Sequence, residues 1–169
     1  MNQMPTDASQ TQEGRPRISL GADHAGFRAK EAIKRHLESS GYNVEDFGTW
    51  SEDSVDYPDF AIRVAHSVID GGNTTGILVC GTGIGMAIAA NKVGGIRAAV
   101  AHDATTAQMS REHNDANVLC VGARVATETQ IVEIVSSFLS AKFAGGRHER
   151  RVNKIIELDQ ERQELKHRA

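Results

Sequence analysis

The chain has 169 residues, 40% hydrophobic and 24% charged, with a formal net charge of -3. These values fit one globular domain with a full core. They exclude the strong basic field of a nucleic-acid or anionic-membrane binder, and no apolar run approaches the ~20 residues of a bilayer-spanning helix. The first 16 residues are polar, lack the apolar centre of a signal peptide and read as a disordered leader. Without an export signal the expected compartment is the cytoplasm, where Cys80 and Cys120 stay reduced. Their separation has no C-x-x-C spacing and does not suggest zinc.

The first element is a short strand, "RISLG", closed by Gly21. "ADHAG" leads into a helix with Phe27, Ile33 and Leu37 on its apolar face and Gly41 as its stop. "YNVEDFG" is a second strand. A polar connection follows, and Pro58 suits the first turn of a helix with Phe60, Val64 and Val68 apolar. "TGILVC" is a third strand, followed by the glycine loop "GTGIG" and a small-residue helix. "IRAAVAHD" is a fourth strand, and the helix after it ends near His113-Asn114. "NVLCVG" is a fifth strand. "ETQIVEIVSSFLSAKF" is an amphipathic helix stopped by Gly145-Gly146, and a charged helix with a narrow apolar face closes the chain. Such a helix, over 146–165, suits packing across a partner chain.

Strands alternate with helices, and the strands are short apolar runs. That pattern predicts an α/β fold, a parallel sheet with helices on both faces. Ligands in such folds sit at the carboxyl ends of the strands. Those ends carry Asp23-His24, Cys80-Gly81-Thr82, His102-Asp103 and Gly122 to Arg124.

Gly81, Gly83 and Gly85 can present backbone N–H groups to an anion, although no Gly-Lys-Ser/Thr follows as in a Walker A loop. The loop overlaps the dinucleotide fingerprint in part, with Met86 at the third glycine position. Asp103, about 20 residues on, stands where a ribose-binding carboxylate would lie. A plain strand–helix turn is the bland alternative. Cys80 ends its strand beside a helix N-terminus, a setting that exposes a thiol and lowers its pKa, whereas Cys120 reads as a small core residue. His113 with Asn114 reads either as a helix-end partner or as a catalyst. His36, His66, His148 and His167 read as solvated helix positions. Arg147 and Arg151 share one helix face, which suits a phosphate monoester, although a solvated charged surface is the more common case in so polar a helix.

Five blocks, "GADHAGF", "DYPDFA", "GILVCGTGIGMAIAANKVGGIRAA", "SREHNDANVLCVGAR" and "GGRHERRV", resemble the type B ribose-5-phosphate isomerases of the ribose/galactose isomerase family. The match runs from about Ile18 to Ile156. The resemblance implies a three-layer α/β/α domain with a five-stranded parallel sheet, Rossmann-like, in the order 2-1-3-5-4. It implies a homodimer, sometimes paired into tetramers, whose active sites draw on both chains. It implies interconversion of ribose 5-phosphate and ribulose 5-phosphate with no cofactor and no metal; an isomerase of six-carbon sugar phosphates is the alternative. By resemblance Cys80 matches the base that moves a proton between C2 and C1, and the sequence falls in the cysteine branch. His113 matches the group that assists ring opening. Asp23, His24, Tyr57 and Asn114 match sugar contacts, and Arg147 and Arg151 match a phosphate clamp to which His24 and Arg124 add. Thr82 and the amides of Gly81, Gly83 and Gly85 would then meet the oxyanion of the enediolate.

Overall fold

The strands and helices alternate as the pattern predicts. In the computed structural model, which describes residues 17–71 and 75–167, they run β1 (Ile18–Ala22), α1 (Phe27–Ser39), β2 (Val44–Asp46), α2 (Tyr57–Asp70), β3 (Thr75–Cys80), α3 (Ile84–Ala90), β4 (Ala98–Val100), α4 (Ala104–Asn114), β5 (Val118–Gly122), α5 (Glu128–Ser140) and α6 (Arg147–His167). The leader expected over 1–16 lies outside the described residues. All pairings are parallel, in the order β2-β1-β3-β5-β4.

The two-residue period of each strand divides the core between the two faces of the sheet. On β3, Ile77 and Val79 join Ile33 and Leu37 of α1 and Ile131, Ile134 and Phe138 of α5. Leu78 and Cys80 point the other way, to Val64 of α2 and Met86 of α3. Three layers result. The register pairs Cys80 with Gly122 and Ala22 with Val79, so β1, β3 and β5 end together.

The boundaries of β2, β4 and α5 differ most from expectation, and β2 keeps only Val44–Asp46. β4 is only three residues long and half-buried, because it is the sheet edge and lacks a neighbour on one side. The side-chain amide of Asn91 accepts from the Ala98 N–H and donates to the Ala98 carbonyl, at 2.8 and 2.9 Å. This blunts an edge that could otherwise pair with another chain. α5 stops at Ser140, short of Gly145-Gly146, since Phe138 is its last buried side chain and further turns would add no core contact. The two glycines, at φ 64° and 56°, instead turn the chain into α6.

A buried ion pair sets the wall beside the end of β1. Lys30 has no exposed surface, and its ammonium lies 2.6 Å from Asp46 and 2.8 Å from Glu31. Lys34 reaches the same Asp46 oxygen at 3.2 Å. The other oxygen accepts the Gly48 N–H at 2.9 Å. The Gly48 carbonyl and Thr49 N–H then pair with Ala22, so the ion pair anchors the segment that flanks Asp23. Burial alone would push the Asp46 carboxyl up, but the Lys30 hydrogen bond and charge, the Gly48 N–H and Lys34 outweigh it and hold its pKa below the ordinary value. A depressed folded pKa means stability that is complete above the unfolded value of ~3.9 and is lost as pH falls through the folded one. Melting curves at decreasing pH should show that Asp46→Asn lowers stability at neutral pH and flattens the loss below pH ~4. Parallel acid limbs would exclude Asp46 as a contributor.

Candidate active site

The ends of β1, β3 and β5 bring together most of the residues singled out from the sequence. Cys80 leaves β3 into a bend, and Gly83 adopts a left-handed conformation (φ 78°) that opens α3. That turn sends the Gly83 N–H back to the Cys80 sulfur at 3.1 Å. The thiol is 5% exposed, more covered than its place at a strand end suggests, because it points into the core between α2 and α3. Cys120 lies on the same face of the sheet and is fully buried, which pushes its thiol well above the ordinary range.

The neighbouring loops press on this turn. A Cβ on Gly122 would lie 2.7 Å from the Thr82 backbone, and one on Gly85 2.8 Å from the Tyr57 ring. A Cβ on Gly81 would meet the Arg124 side chain at 3.2 Å. Arg124 is itself placed by its N–H on the Gly81 carbonyl at 2.9 Å. Thr82 accepts the Ile84 N–H at 3.3 Å. Asp23 is buried, accepts the Gly26 N–H at 3.0 Å and ties β1 to β3 through its own N–H on the Val79 carbonyl. His24 accepts the Val55 N–H on Nδ1 at 3.2 Å, so a neutral ring carries its proton on Nε2. Cys80, Gly81, Thr82, Gly83, Gly85, Asp23, His24, Tyr57 and Arg124 thus form one cluster.

His113, Asn114, Arg147 and Arg151 form another, at the opposite end of the sheet. α4 carries the chain from the carboxyl end of β4 back to the amino end of β5, and His113 and Asn114 are its last residues. Cys80 is level with Gly122, at the far end of β5. About 13 Å of strand separates the two ends. The antiparallel return of a helix in a parallel fold keeps the two clusters apart within one chain. α6 starts beside the end of α4: the Ala144 N–H donates to the Glu112 carbonyl at 3.0 Å, and Val152 is buried.

Asp103 has a local role. Its carboxylate accepts the Thr106 N–H at 2.7 Å in a capping box that starts α4, which also lowers its pKa. The dinucleotide alternative loses its ribose-binding carboxylate. Among the described residues, no three His, Cys, Asp or Glu side chains gather as a metal site, and no helix is long and apolar enough to cross a membrane.

The profile of the ribose/galactose isomerase family matches residues 18–155. The chain belongs to that family. It is 47% identical over 146 residues to ribose-5-phosphate isomerase B of Escherichia coli, covering 86% of this chain and 98% of that one. The solved structure of the Clostridium thermocellum ribose-5-phosphate isomerase B superposes with a TM-score of 0.84 at 50% identity, over 86% of this chain and 98% of that one. The Mycoplasma genitalium ribose-5-phosphate isomerase B, solved with bound ribulose-5-phosphate, gives 0.82 at 43% identity, over 86% and 97%.

Within this family setting, two histidines read as solvated have partners. His36 pairs with Ser136 at 3.0 Å between α1 and α5. His148 stacks on His113, with ring centroids 4.3 Å apart and planes within 2°. Sequence reasoning missed it because a histidine between two candidate arginines was read for its helix alone. Its position in "GGRHERRV", beside both, was the available signal. Loss of hydration lowers the His148 pKa first, and His113, Arg147 and Arg151 lower it further by charge repulsion. NMR titration should therefore place His148 below the ordinary ~6.5, and Arg147→Ala with Arg151→Ala should move it up. No movement would mean that the arginines do not face the ring.

Proposed function

We propose that the protein interconverts ribose 5-phosphate and ribulose 5-phosphate by proton transfer through an enediolate. The observation that carries this is the Cys80 sulfur held on the Gly83 N–H at the end of β3, in a chain 43–50% identical to proteins named for this reaction. Those names do not favour the six-carbon alternative.

The chemistry follows from the groups present. The Cys80 thiolate takes the proton from C2 of the open-chain aldose. The C–H electron pair forms the C1=C2 bond, and the carbonyl electrons move to O1. Thr82 and loop amides stabilise that oxyanion. The thiol returns the proton to C1 as the O2 hydroxyl passes its own proton to O1 and becomes the ketose carbonyl, so no redox partner is needed. Before this step, His113 takes the proton of the anomeric O1 hydroxyl and gives it to O4 as the C1–O4 bond breaks. Asn114, Asp23, His24 and Tyr57 contact the sugar. Arg147, Arg151 and Arg124, with His24, hold the phosphate.

One chain holds these groups at two ends of its sheet, so the working unit is a homodimer in which the His113 end of one copy meets the Cys80 end of the other. An exposed apolar rim supports this: Trp50, Tyr57, Ile84, Ile88 and Val125 border the Cys80 cluster. Ile84 and Ile88 lie one turn apart on one face of α3. The α6 helix, packed on its own α4 by its first turns, would carry its arginines to the partner's site.

Proton NMR of ribose 5-phosphate with the enzyme in D₂O should show ketose carrying deuterium at the transferred position. Cys80→Ala should lower kcat by ~10²–10⁴ while KM stays within a few-fold. Retained turnover would remove Cys80 as the base. Inactive Cys80→Ala and His113→Ala proteins, unfolded and refolded together, should recover about a quarter of wild-type activity, because half of random pairs are mixed and each mixed pair has one intact site of two. No recovery would place both groups within one chain's site.

A further inference from the structure

The end of α4 lacks the usual glycine. Asp115 follows Asn114 in the left-handed region at φ 46°, a conformation that costs a non-glycine residue energy. The last carbonyls of the helix need donors and gather at the negative end of its dipole. The Arg97 guanidinium supplies them from another element. Its Nε donates to the Asn114 carbonyl at 3.2 Å and the Asp115 carbonyl at 2.9 Å, and Nη2 donates to the Asp115 carboxylate at 2.9 Å. Arg111 completes the clamp, with one nitrogen on the same carboxylate at 3.1 Å and on the Ala116 carbonyl at 2.6 Å.

Arg97 has little freedom of its own. Its side chain is 17% exposed. Its N–H donates to the Asn117 side chain at 2.8 Å, and its carbonyl accepts the Asn117 N–H at 3.2 Å. The Asn117 amide also donates to the Gly95 carbonyl at 2.9 Å. The guanidinium is therefore referenced to the amino end of the sheet by a short, doubly pinned backbone. What it holds is the turn that carries His113 and Asn114.

We propose that Arg97 is a positioning residue for the isomerisation, fixing the His113 imidazole and the Asn114 amide through the end of α4. This rests on the isomerase reading of those two residues. The fork is what the geometry uses: three acceptors spread over Nε and Nη2 suit guanidinium and not an ammonium. A helix end released by a small distance would misplace the imidazole against the sugar ring, and misplacement of about 1 Å can cost ~10² in rate.

The test is a double-mutant cycle with a structural readout. Arg97→Met should lower kcat/KM for ribose 5-phosphate by ~10–10². In the His113→Ala background the same change should cost several-fold less than in the wild type, since one of the two groups it positions is gone. Arg97→Lys should recover only part of the loss. The ring–ring NOE between His113 and His148 should weaken in Arg97→Met at temperatures where the fold is intact. If Arg97→Met does not fold, Asp115→Asn tolerates the left-handed backbone and removes the carboxylate, and should give the same non-additive pattern. Full additivity with His113→Ala, or unchanged kcat/KM with the NOE intact, would overturn the proposal and leave Arg97 a plain stabilising cap. A wild-type protein without turnover would remove the isomerase reading instead, and the NOE comparison would still decide whether Arg97 places the ring.

Discussion

The parallel ladder between β3 and β5 is the constraint on which the rest depends. It sets Cys80 level with Gly122, so two loops leave the sheet at one point and must share the space above it. Sharing explains the glycines better than flexibility does. Gly122 has no room for a side chain against Thr82, and Gly85 has none against Tyr57. Only at Gly83 is the left-handed backbone the reason, and there the turn delivers the N–H that meets the sulfur. The same parallel direction forces α4 to return to the opposite end before β5 can start. The thiol and the imidazole of the proposed reaction are thus separated within the chain by the topology that creates the thiol's environment.

The two cysteines show how much of reactivity is placement. Both lie on the face of the sheet toward α2 and α3. Cys120 sits inside β5, and burial pushes its thiol well above the ordinary range. Cys80 sits one bend further along its strand, where a backbone donor replaces the water that burial removes. Nothing in the residue type distinguishes them.

The fold was legible because each local signal agreed with its neighbours. Apolar runs such as "GILVC" and "NVLCV" could be buried only on both faces, and glycine or proline marked most helix limits. The carboxyl-end cluster was legible for the same reason, since strand ends are fixed once the strands are. The end of α5 was not, because it depends on where core contact runs out and not on a breaker residue. The position of His113 at the far end follows from counting crossovers, but it contradicts the habit of placing all reactive residues at the strand ends. His148 and Arg97 were illegible from spacing. Each acts on a residue far away in sequence or on another element, and periodicity carries no such information.

The two clusters are also held by different means. At the carboxyl end the main chain does most of the positioning: the Gly83 amide on sulfur, the Asp23 and Arg124 amides on Val79 and Gly81, and the Val55 amide on His24. Such a site is as rigid as the sheet beneath it. At the amino end the helix terminus carries the groups, and it is fixed by side chains, above all the two arginines on Asp115. A side-chain clamp on a strained cap has fewer covalent constraints and is the more easily disturbed half. In the proposed site shared between copies, the half on the helix end would have to fit a surface on another chain, whereas the half on the sheet would have to fit only the reacting carbons. Guanidinium forks give that helix end a defined direction without burying it. The division therefore matches the tolerance each half would need under that proposal, with backbone geometry at the proposed base and a charged clamp at the proposed docking end.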